Sequence, residues 1–134
     1  MTYALRILAT GIAAMIAASP AMAADWWLVS GAPSDPTAVF ADIGTLQRNQ
    51  QSAEMRVLRV DRAGRSFETV QQIQCDKVST AKEEEDVRQF ACASEKERDQ
   101  HGLILAAMSP VLVAQMIFQT DATAEASRKS EPRT

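Results

Sequence analysis

The sequence predicts an α+β fold, in which an antiparallel sheet of five or six strands carries one C-terminal helix packed on a face. Three observations lead to this prediction. Short segments rich in Val, Ile, Phe and Trp alternate with turn residues, and the connections are too short for crossover helices. A late apolar stretch begins with Ser109 and Pro110, a pair typical of a helix start. The chain of 134 residues suits one small domain.

Residues 1–23 have the organisation of a secretory signal peptide. A positive start ends at Arg6, an apolar run covers residues 7–18, and small side chains follow. This pattern predicts cleavage between Ala23 and Ala24. The alternative is an uncleaved membrane anchor, but the run is shorter than the roughly 20 residues that a spanning helix needs. We therefore expect an exported protein, in the periplasm or at the cell surface, with no transmembrane span in the mature chain.

Composition and charge place the rest of the chain among single globular domains. Removal of the first 23 residues leaves 111, and the loss of Arg6 changes the formal net charge from −3 to −4. A mildly acidic chain without a basic run is not expected to bind nucleic acid. Residues 24–120 are expected to form one compact α+β domain. Residues 121–134 have no large apolar side chain and are expected to be a disordered tail.

The predicted strands follow one another from the start of this domain. They are expected at residues 26–30, 38–42, 55–60, 67–76 and 87–93. Residues 31–36 are expected to be a loop, and residues 43–53 a longer polar connection. The link 61–65 contains Gly64, which is free to take the left-handed conformation that ends a type I turn with a bulge. The strands on either side of this link should therefore form a hairpin.

The late apolar stretch, residues 103–118, is predicted to contain a short strand and a helix. The strand is expected at residues 103–107. Ser109 suits the N-cap and Pro110 the first helical position, so the helix is expected to run from Pro110 to about Phe118. Its mostly apolar surface predicts burial against the sheet.

The two cysteines, Cys75 and Cys92, predict a disulfide, because an exported protein meets an oxidising compartment. In a hairpin that places Cys75 opposite Cys92, Ile73 and Phe90 would share one face with them. The alternative is a pair of buried thiols. Two cysteines separated this widely do not form a thioredoxin-like redox motif, and one pair alone cannot build a zinc site.

Two features are candidate partner contacts. The charged stretch 82–86 lacks the alternating ligands and central glycine of a calcium loop, so we interpret it as the solvated tip of a hairpin. Adjacent strand residues point to opposite faces, so one indole of the pair Trp26 and Trp27 should enter the core and the other should lie on the far face or under the helix. The candidate contact residues are Glu83, Glu84, Glu85, Asp86, Trp26 and Trp27. No catalytic residue, metal site or cofactor is expected, because no catalytic or phosphate-binding motif is present.

Four segments resemble the surface-adhesin protein E-like family of small exported bacterial proteins. They are WWLV, VFADIGTLQR, MRVLRV and QQIQCD, followed by a late helix. The resemblance covers about residues 26–118 and implies an antiparallel sheet with a C-terminal helix across one face. The namesake of the family is a surface adhesin that binds host matrix proteins, but no binding motif is matched residue by residue, so the resemblance does not carry adhesin activity over to this chain. Two departures are the absence of a cysteine after Cys92 and the presence of Phe40 where the family often has tyrosine.

These observations predict an exported, non-catalytic binding or envelope-associated protein whose partner is another protein, with adhesin-like binding at the cell surface as one form of it. The alternative is a periplasmic inhibitor of a wall-degrading hydrolase, because such inhibitors are also small, exported, disulfide-bonded and rich in strands. A hydrolase is disfavoured by the missing motifs.

Overall fold

The computed structural model describes residues 24–130, with side chains described as far as Asp121 and again at Ala126. The predicted signal peptide, including Ala23, and the last four residues of the predicted tail lie outside the described residues.

Five strands form one sheet in the order β4-β3-β2-β1-β5. Every neighbouring pair is antiparallel. The strands are β1 (Trp26–Ser30), β2 (Thr37–Arg48), β3 (Ser52–Asp61), β4 (Ser66–Gln74) and β5 (Leu103–Ile104). The predicted α+β class with an antiparallel sheet is therefore confirmed.

The hairpin between β3 and β4 is confirmed in detail. Gly64 has φ 84° and donates its N–H to the Asp61 carbonyl oxygen, and Asp61 donates its own N–H to the Arg65 carbonyl oxygen. The polar connection predicted at residues 43–53 is wrong, because β2 continues to Arg48 and β3 begins at Ser52. A side chain closes this tight turn, since Asn49 Oδ1 accepts hydrogen bonds from the Ser52 N–H and hydroxyl.

The strand predicted at residues 87–93 is wrong, because all but the last of these residues belong to a helix, α1 (Lys82–Cys92). Its buried residues are Val87, Phe90 and Ala91, and this spacing of three and four residues is the helical period. Three glutamates in the first turn favour a helix here, because the N-terminal end of a helix attracts negative charge.

The C-terminal helix, α2 (Pro110–Ser130), begins at the predicted residue and packs on one face of the sheet, as predicted. Its end is later than the predicted end near Phe118, so α2 includes most of the segment predicted to be a disordered tail. β5 is shorter than predicted, because the chain turns after Leu105: Met108 donates its N–H to the Leu105 carbonyl oxygen.

Each face of the sheet is covered by one helix, so the protein has two cores. The core under α1 contains Val29, Val39, Ala41, Ala53, Met55, Val57, Ile73, Val87, Phe90 and Ala91. The core under α2 contains Ala38, Phe40, Val60, Leu105, Ala114 and Phe118. Because the sequence did not predict α1, only the second of these layers was expected.

Candidate functional site

The two tryptophans of β1 lie on opposite faces of the sheet, as the strand geometry predicts. Trp26 packs against the core under α2, and the Arg56 guanidinium lies 5.2 Å from the centroid of its ring. Trp27 packs against the core under α1, with its ring centroid 5.7 Å from that of Phe90. Both side chains are half-buried, and neighbouring side chains pack against each of them. Their present contacts are therefore packing contacts.

The acidic residues predicted at a hairpin tip form the first turns of α1 instead, so the hairpin-tip interpretation is wrong. All four of them are bound within the chain. Glu83 forms an ion pair with Arg59, Asp86 accepts a hydrogen bond from the Ser30 hydroxyl at 2.8 Å, and Glu84 accepts one from Ser79 at 2.9 Å. These contacts hold the start of α1 against the sheet and its approach loop.

Glu85 is the most strongly perturbed of these acids. Its carboxylate accepts hydrogen bonds from the Arg88 side chain and the Ser79 N–H, and these contacts lower the pKa of Glu85 to about 2. Arg88 also donates to the Cys75 carbonyl oxygen at 2.9 Å. The Glu85–Arg88 pair therefore connects α1 to the end of β4.

Cys75 and Cys92 form the predicted disulfide, with their Cα atoms 5.6 Å apart. The predicted hairpin around it is wrong, because Cys75 follows β4 and Cys92 is the last residue of α1. The bond therefore fixes the end of α1 to the sheet beside β4, where it can limit movement of the helix. It does not hold a contact loop in place.

The strongest candidate for a functional site is an apolar groove between β5 and α2, which we call the β5–α2 groove. It has a volume of about 360 Å³. Its lining residues are Leu28, Leu103, Ile104, Leu105, Met108, Val113, Met116, Ile117 and Thr120. Among these described lining residues, only Thr120 has a polar side chain. Clefts of this size and apolar character are typical of binding sites.

Exposed apolar side chains cluster around this groove. Leu103 is 63% exposed, and Ile104, Met108 and Met116 are each about half exposed. Scattered exposed apolar residues are ordinary, but a contiguous apolar patch on a small domain usually marks a binding surface. The two methionines add adaptability, because the Met side chain is unbranched and polarizable.

The backbone of β5 is open along one side of the groove. Leu105 donates its N–H to the Trp26 carbonyl oxygen at 3.1 Å, and Leu103 lies opposite Leu28 in the ladder. Since hydrogen-bonded pairs alternate along an antiparallel ladder, Ile104 directs its N–H and C=O away from β1. An extended chain laid beside β5 could pair with these groups.

Two backbone features position this edge. Gly102 allows β5 to approach the core closely, because a Cβ there would lie 2.7 Å from two carbons of the Phe90 ring. After β5, Ala106 has φ 54°, a left-handed conformation that costs a residue other than glycine roughly 1 kcal/mol. This turn brings Met108 and the start of α2 back to the groove.

A larger cleft, of about 450 Å³, lies where β2 and β4 end and β3 begins. It is lined mainly by amide and charged side chains, including Gln47, Arg48 and Glu54. The Arg48 guanidinium already forms a hydrogen bond within the protein, since it donates to the Cys92 carbonyl oxygen at 2.7 Å. The cleft lacks the apolar surface that distinguishes the β5–α2 groove.

Sequence reasoning did not find this groove. The helix in the 103–118 stretch was predicted to be mostly buried against the sheet, although α2 is apolar on more sides than one sheet can cover. That excess was the available signal, because a helix that is apolar over most of its surface needs a second partner.

Comparison of the chain with protein-family models, with curated proteins and with solved structures finds no match. Within residues 24–130, no helix is both long and apolar enough to cross a membrane.

Proposed function

We propose that this protein is an exported, non-catalytic binding protein of the cell envelope or surface. Its partner is a protein segment that lies in the β5–α2 groove in an extended conformation. The observation that carries this proposal is the apolar groove beside an open strand edge. Addition of a strand to a sheet edge, with side chains entering adjacent pockets, is a common mode of peptide recognition.

The chemistry of the groove indicates what this segment contains. Successive residues of an extended segment alternate between the two faces, so only every second side chain would enter the groove. Those residues should be apolar, because among the described lining residues the Thr120 hydroxyl is the only polar side-chain group. The backbone groups of Ile104 would fix the register of the segment.

Export is supported by the disulfide between Cys75 and Cys92, since such bonds persist in oxidising compartments and are rare in the cytosol. The resemblance to the surface-adhesin protein E-like family makes host matrix proteins the first partners to test.

The test is selection of peptides from a random library displayed on phage against the immobilised protein, followed by titration of the selected peptides. We expect them to share apolar residues at alternate positions. Met116→Glu should weaken their binding by about tenfold or more, because a carboxylate in an apolar groove loses its hydration.

A matched control is Leu112→Glu, which adds the same charge to the same helix outside the groove. Leu112 is 49% exposed and Met116 is 51% exposed, so neither change should unfold the protein. Equal weakening by both variants, or peptides without the alternating pattern, would contradict the groove as the binding site.

The loop at residues 31–36 supports a second candidate, inhibition of a wall-degrading hydrolase. Asp35 accepts hydrogen bonds from the Ala32 N–H and the Lys82 side chain, which lower the pKa of Asp35. Arg62 donates to two carbonyl oxygens of the loop, at 2.8 and 3.1 Å. A loop held in this way loses little entropy when it enters an enzyme cleft.

A lysozyme assay on cell-wall suspensions separates the two candidates. An inhibitor should slow clearing in proportion to its concentration, and Ser34→Arg at the exposed centre of the loop should abolish the effect while Met116→Glu leaves it intact. Absence of inhibition at a large molar excess of the protein would exclude the lysozyme version of this candidate.

A further inference from the structure

β4 forms the second open edge of the sheet. It is nine residues long, and among the strands the structure describes only β3 pairs with it. Its edge is therefore much longer than that of β5, which has two residues. Such an edge is a template for pairing with a further strand.

The backbone hydrogen bonds at the two ends of β4 show which of its groups face outward. Asp61 donates its N–H to the Arg65 carbonyl oxygen, and Cys75 donates its N–H to the Gln51 carbonyl oxygen. Because bonded pairs alternate in an antiparallel ladder, the odd-numbered residues between them also bond to β3. The residues that direct N–H and C=O outward are Ser66, Glu68, Val70 and Gln72.

This edge lacks the usual protection against pairing. β4 contains no proline, glycine or lysine, and its register with β3 has no bulge. Its one charged residue, Glu68, lies 2.9 Å from the guanidinium of Arg56 in the same sheet. Phe67 is 55% exposed and Val70 is 65% exposed. In folded proteins, charges, prolines or bulges ordinarily prevent an unpaired edge strand from pairing with another chain.

The sequence of β4 is complementary to itself in one antiparallel register. With Val70 of two chains on a two-fold axis, Phe67 lies opposite Ile73, and Glu68 lies opposite Gln72. Phe67 then lies against an apolar position of the sheet edge, Ile73, which is 6% exposed, and the carboxylate meets an amide donor. Since the backbone groups of Val70 face outward, the two valines form a hydrogen-bonded pair on the axis.

The neighbouring register with the same side-chain faces is less complementary. With Thr69 on the axis, Phe67 lies opposite Gln71, and Glu68 lies opposite Val70. Each apolar side chain then faces a polar or charged one. Of these two registers, side-chain pairing favours the one centred on Val70.

We propose that β4 is a dimerisation edge, at which two copies of this chain pair through β4 around a two-fold axis at Val70. The two five-stranded sheets join into one continuous sheet. A two-fold contact of this kind uses the same surface on both subunits, so it closes at the dimer. The proposal does not depend on the proposed function, because β4 and β5 are opposite edges of the sheet.

The first experiment is sedimentation equilibrium of the purified protein across a range of concentrations. We expect a monomer–dimer equilibrium with no larger species. Val70→Lys should raise the dissociation constant of the dimer by about tenfold or more, because it places two like charges against each other on the axis. Val78→Lys is the matched control, since Val78 is 76% exposed and lies after β4.

The second experiment fixes the register by oxidative cross-linking. Val70→Cys should give a disulfide-linked dimer, because a hydrogen-bonded pair has its Cα atoms about 5.5 Å apart, within disulfide reach. Thr69→Cys should cross-link less, and Val78→Cys should not cross-link. Circular dichroism melting of each variant checks that the fold is retained.

Three results would overturn the proposal. The first is that the wild type stays monomeric and the Val70→Cys variant does not cross-link at about 1 mM. This concentration exceeds the dissociation constants of ordinary weak interfaces. Another is a dimer that Val70→Lys and Val78→Lys leave equally intact, which would place the interface elsewhere. The last is growth beyond the dimer, which a closed two-fold contact does not allow.

Discussion

Replacement of Gly102, just before β5, by alanine is expected to destabilise the protein. In an exposed strand, by contrast, replacement of a glycine by alanine ordinarily stabilises the fold. The new Cβ would lie 2.7 Å from two carbons of the Phe90 ring and 3.3 Å from the Leu28 carbonyl oxygen. Carbon atoms prefer separations of about 3.5–4.0 Å, and the Phe90 ring is fully buried. Forced overpacking costs about 1–3 kcal/mol, whereas the gain from removing a glycine is about 0.4–1 kcal/mol. The cost of overpacking therefore exceeds the gain, and the free energy of unfolding is expected to fall by roughly 1–2 kcal/mol.

The assay is urea unfolding followed by tryptophan fluorescence, with Gly44→Ala as the matched control. A Cβ at Gly44 would meet only the Asp42 Oδ1 atom, at 3.3 Å, on an exposed part of β2. The control should lose less stability than Gly102→Ala, because its single contact at 3.3 Å needs a shift of only a few tenths of an ångström. If Gly102→Ala is as stable as Gly44→Ala, the close approach of β5 to the Phe90 ring is refuted, and with it the position of this wall of the groove.

Three further predictions concern the contacts that hold the helices. Replacement of both Cys75 and Cys92 by serine should lower the free energy of unfolding by about 3 kcal/mol, from the entropy of a loop with a sequence separation of 17; a loss below about 1 kcal/mol would show that the unfolded chain is hardly constrained by the bond. Phe118→Ala should cost about 3–5 kcal/mol in the same assay, because its ring is buried beneath α2, and an unchanged midpoint would mean that the helix is not docked. The depressed pKa of Glu85, about 2, means that its pairing with Arg88 stabilises the fold above the unfolded pKa near 4.5 and is lost as the pH falls from there towards 2. The stability difference between the wild type and Glu85→Gln should therefore be present at neutral pH and vanish near pH 2, and a difference independent of pH would contradict the ion pair.

Strand pairing was predictable because local signals and tertiary packing agree in β1 to β4. Gly64 gave the hairpin turn, and the alternation of β3 matches its observed burial. One signal was not recognised: Asp42, at the predicted end of β2, is buried. Its carboxylate accepts hydrogen bonds from the Asp25 and Gly44 N–H groups. These bonds lie at the start of an irregular stretch of β2, where the register with β3 shifts between Asp42 and Gln47. Propensity alone suggested that this stretch was a polar connection.

The α1 helix was not predicted, because the disulfide and the apolar residues around Cys92 were both explained by a hairpin. The disulfide between Cys75 and Cys92 exists, but a separation of 17 residues is compatible with a strand joined to a helix as well as with a hairpin. The glutamates before Val87 are a helix-start signal, and the buried positions Val87, Phe90 and Ala91 have helical spacing. Alternation over so few residues could not distinguish the two periods.

The groove could not be located from the sequence, because its existence depends on where α2 crosses the sheet. Phe118 and Ala114 face the core, whereas Met116 and Leu112 on the same helix remain about half exposed. The sequence shows that all four are apolar or small, and only the tertiary arrangement decides which of them is covered.

The two open edges have different consequences, because they lie at opposite ends of the sheet. Pairing of two copies through β4 leaves the β5–α2 groove of each copy free, at the two outer edges of a ten-stranded sheet. Nine spacings of about 4.8 Å separate these edges by roughly 43 Å along the hydrogen-bonding direction. Two grooves at this distance would bind a partner that displays repeated segments more strongly than one that displays a single segment. Val70→Lys should therefore weaken binding to a surface coated densely with a groove-binding peptide and leave the affinity for the free peptide unchanged. Binding of the free peptide to one groove does not need a second copy of the chain. If Val70→Lys weakens binding to the free peptide as well as to the coated surface, β4 and the groove are therefore not independent.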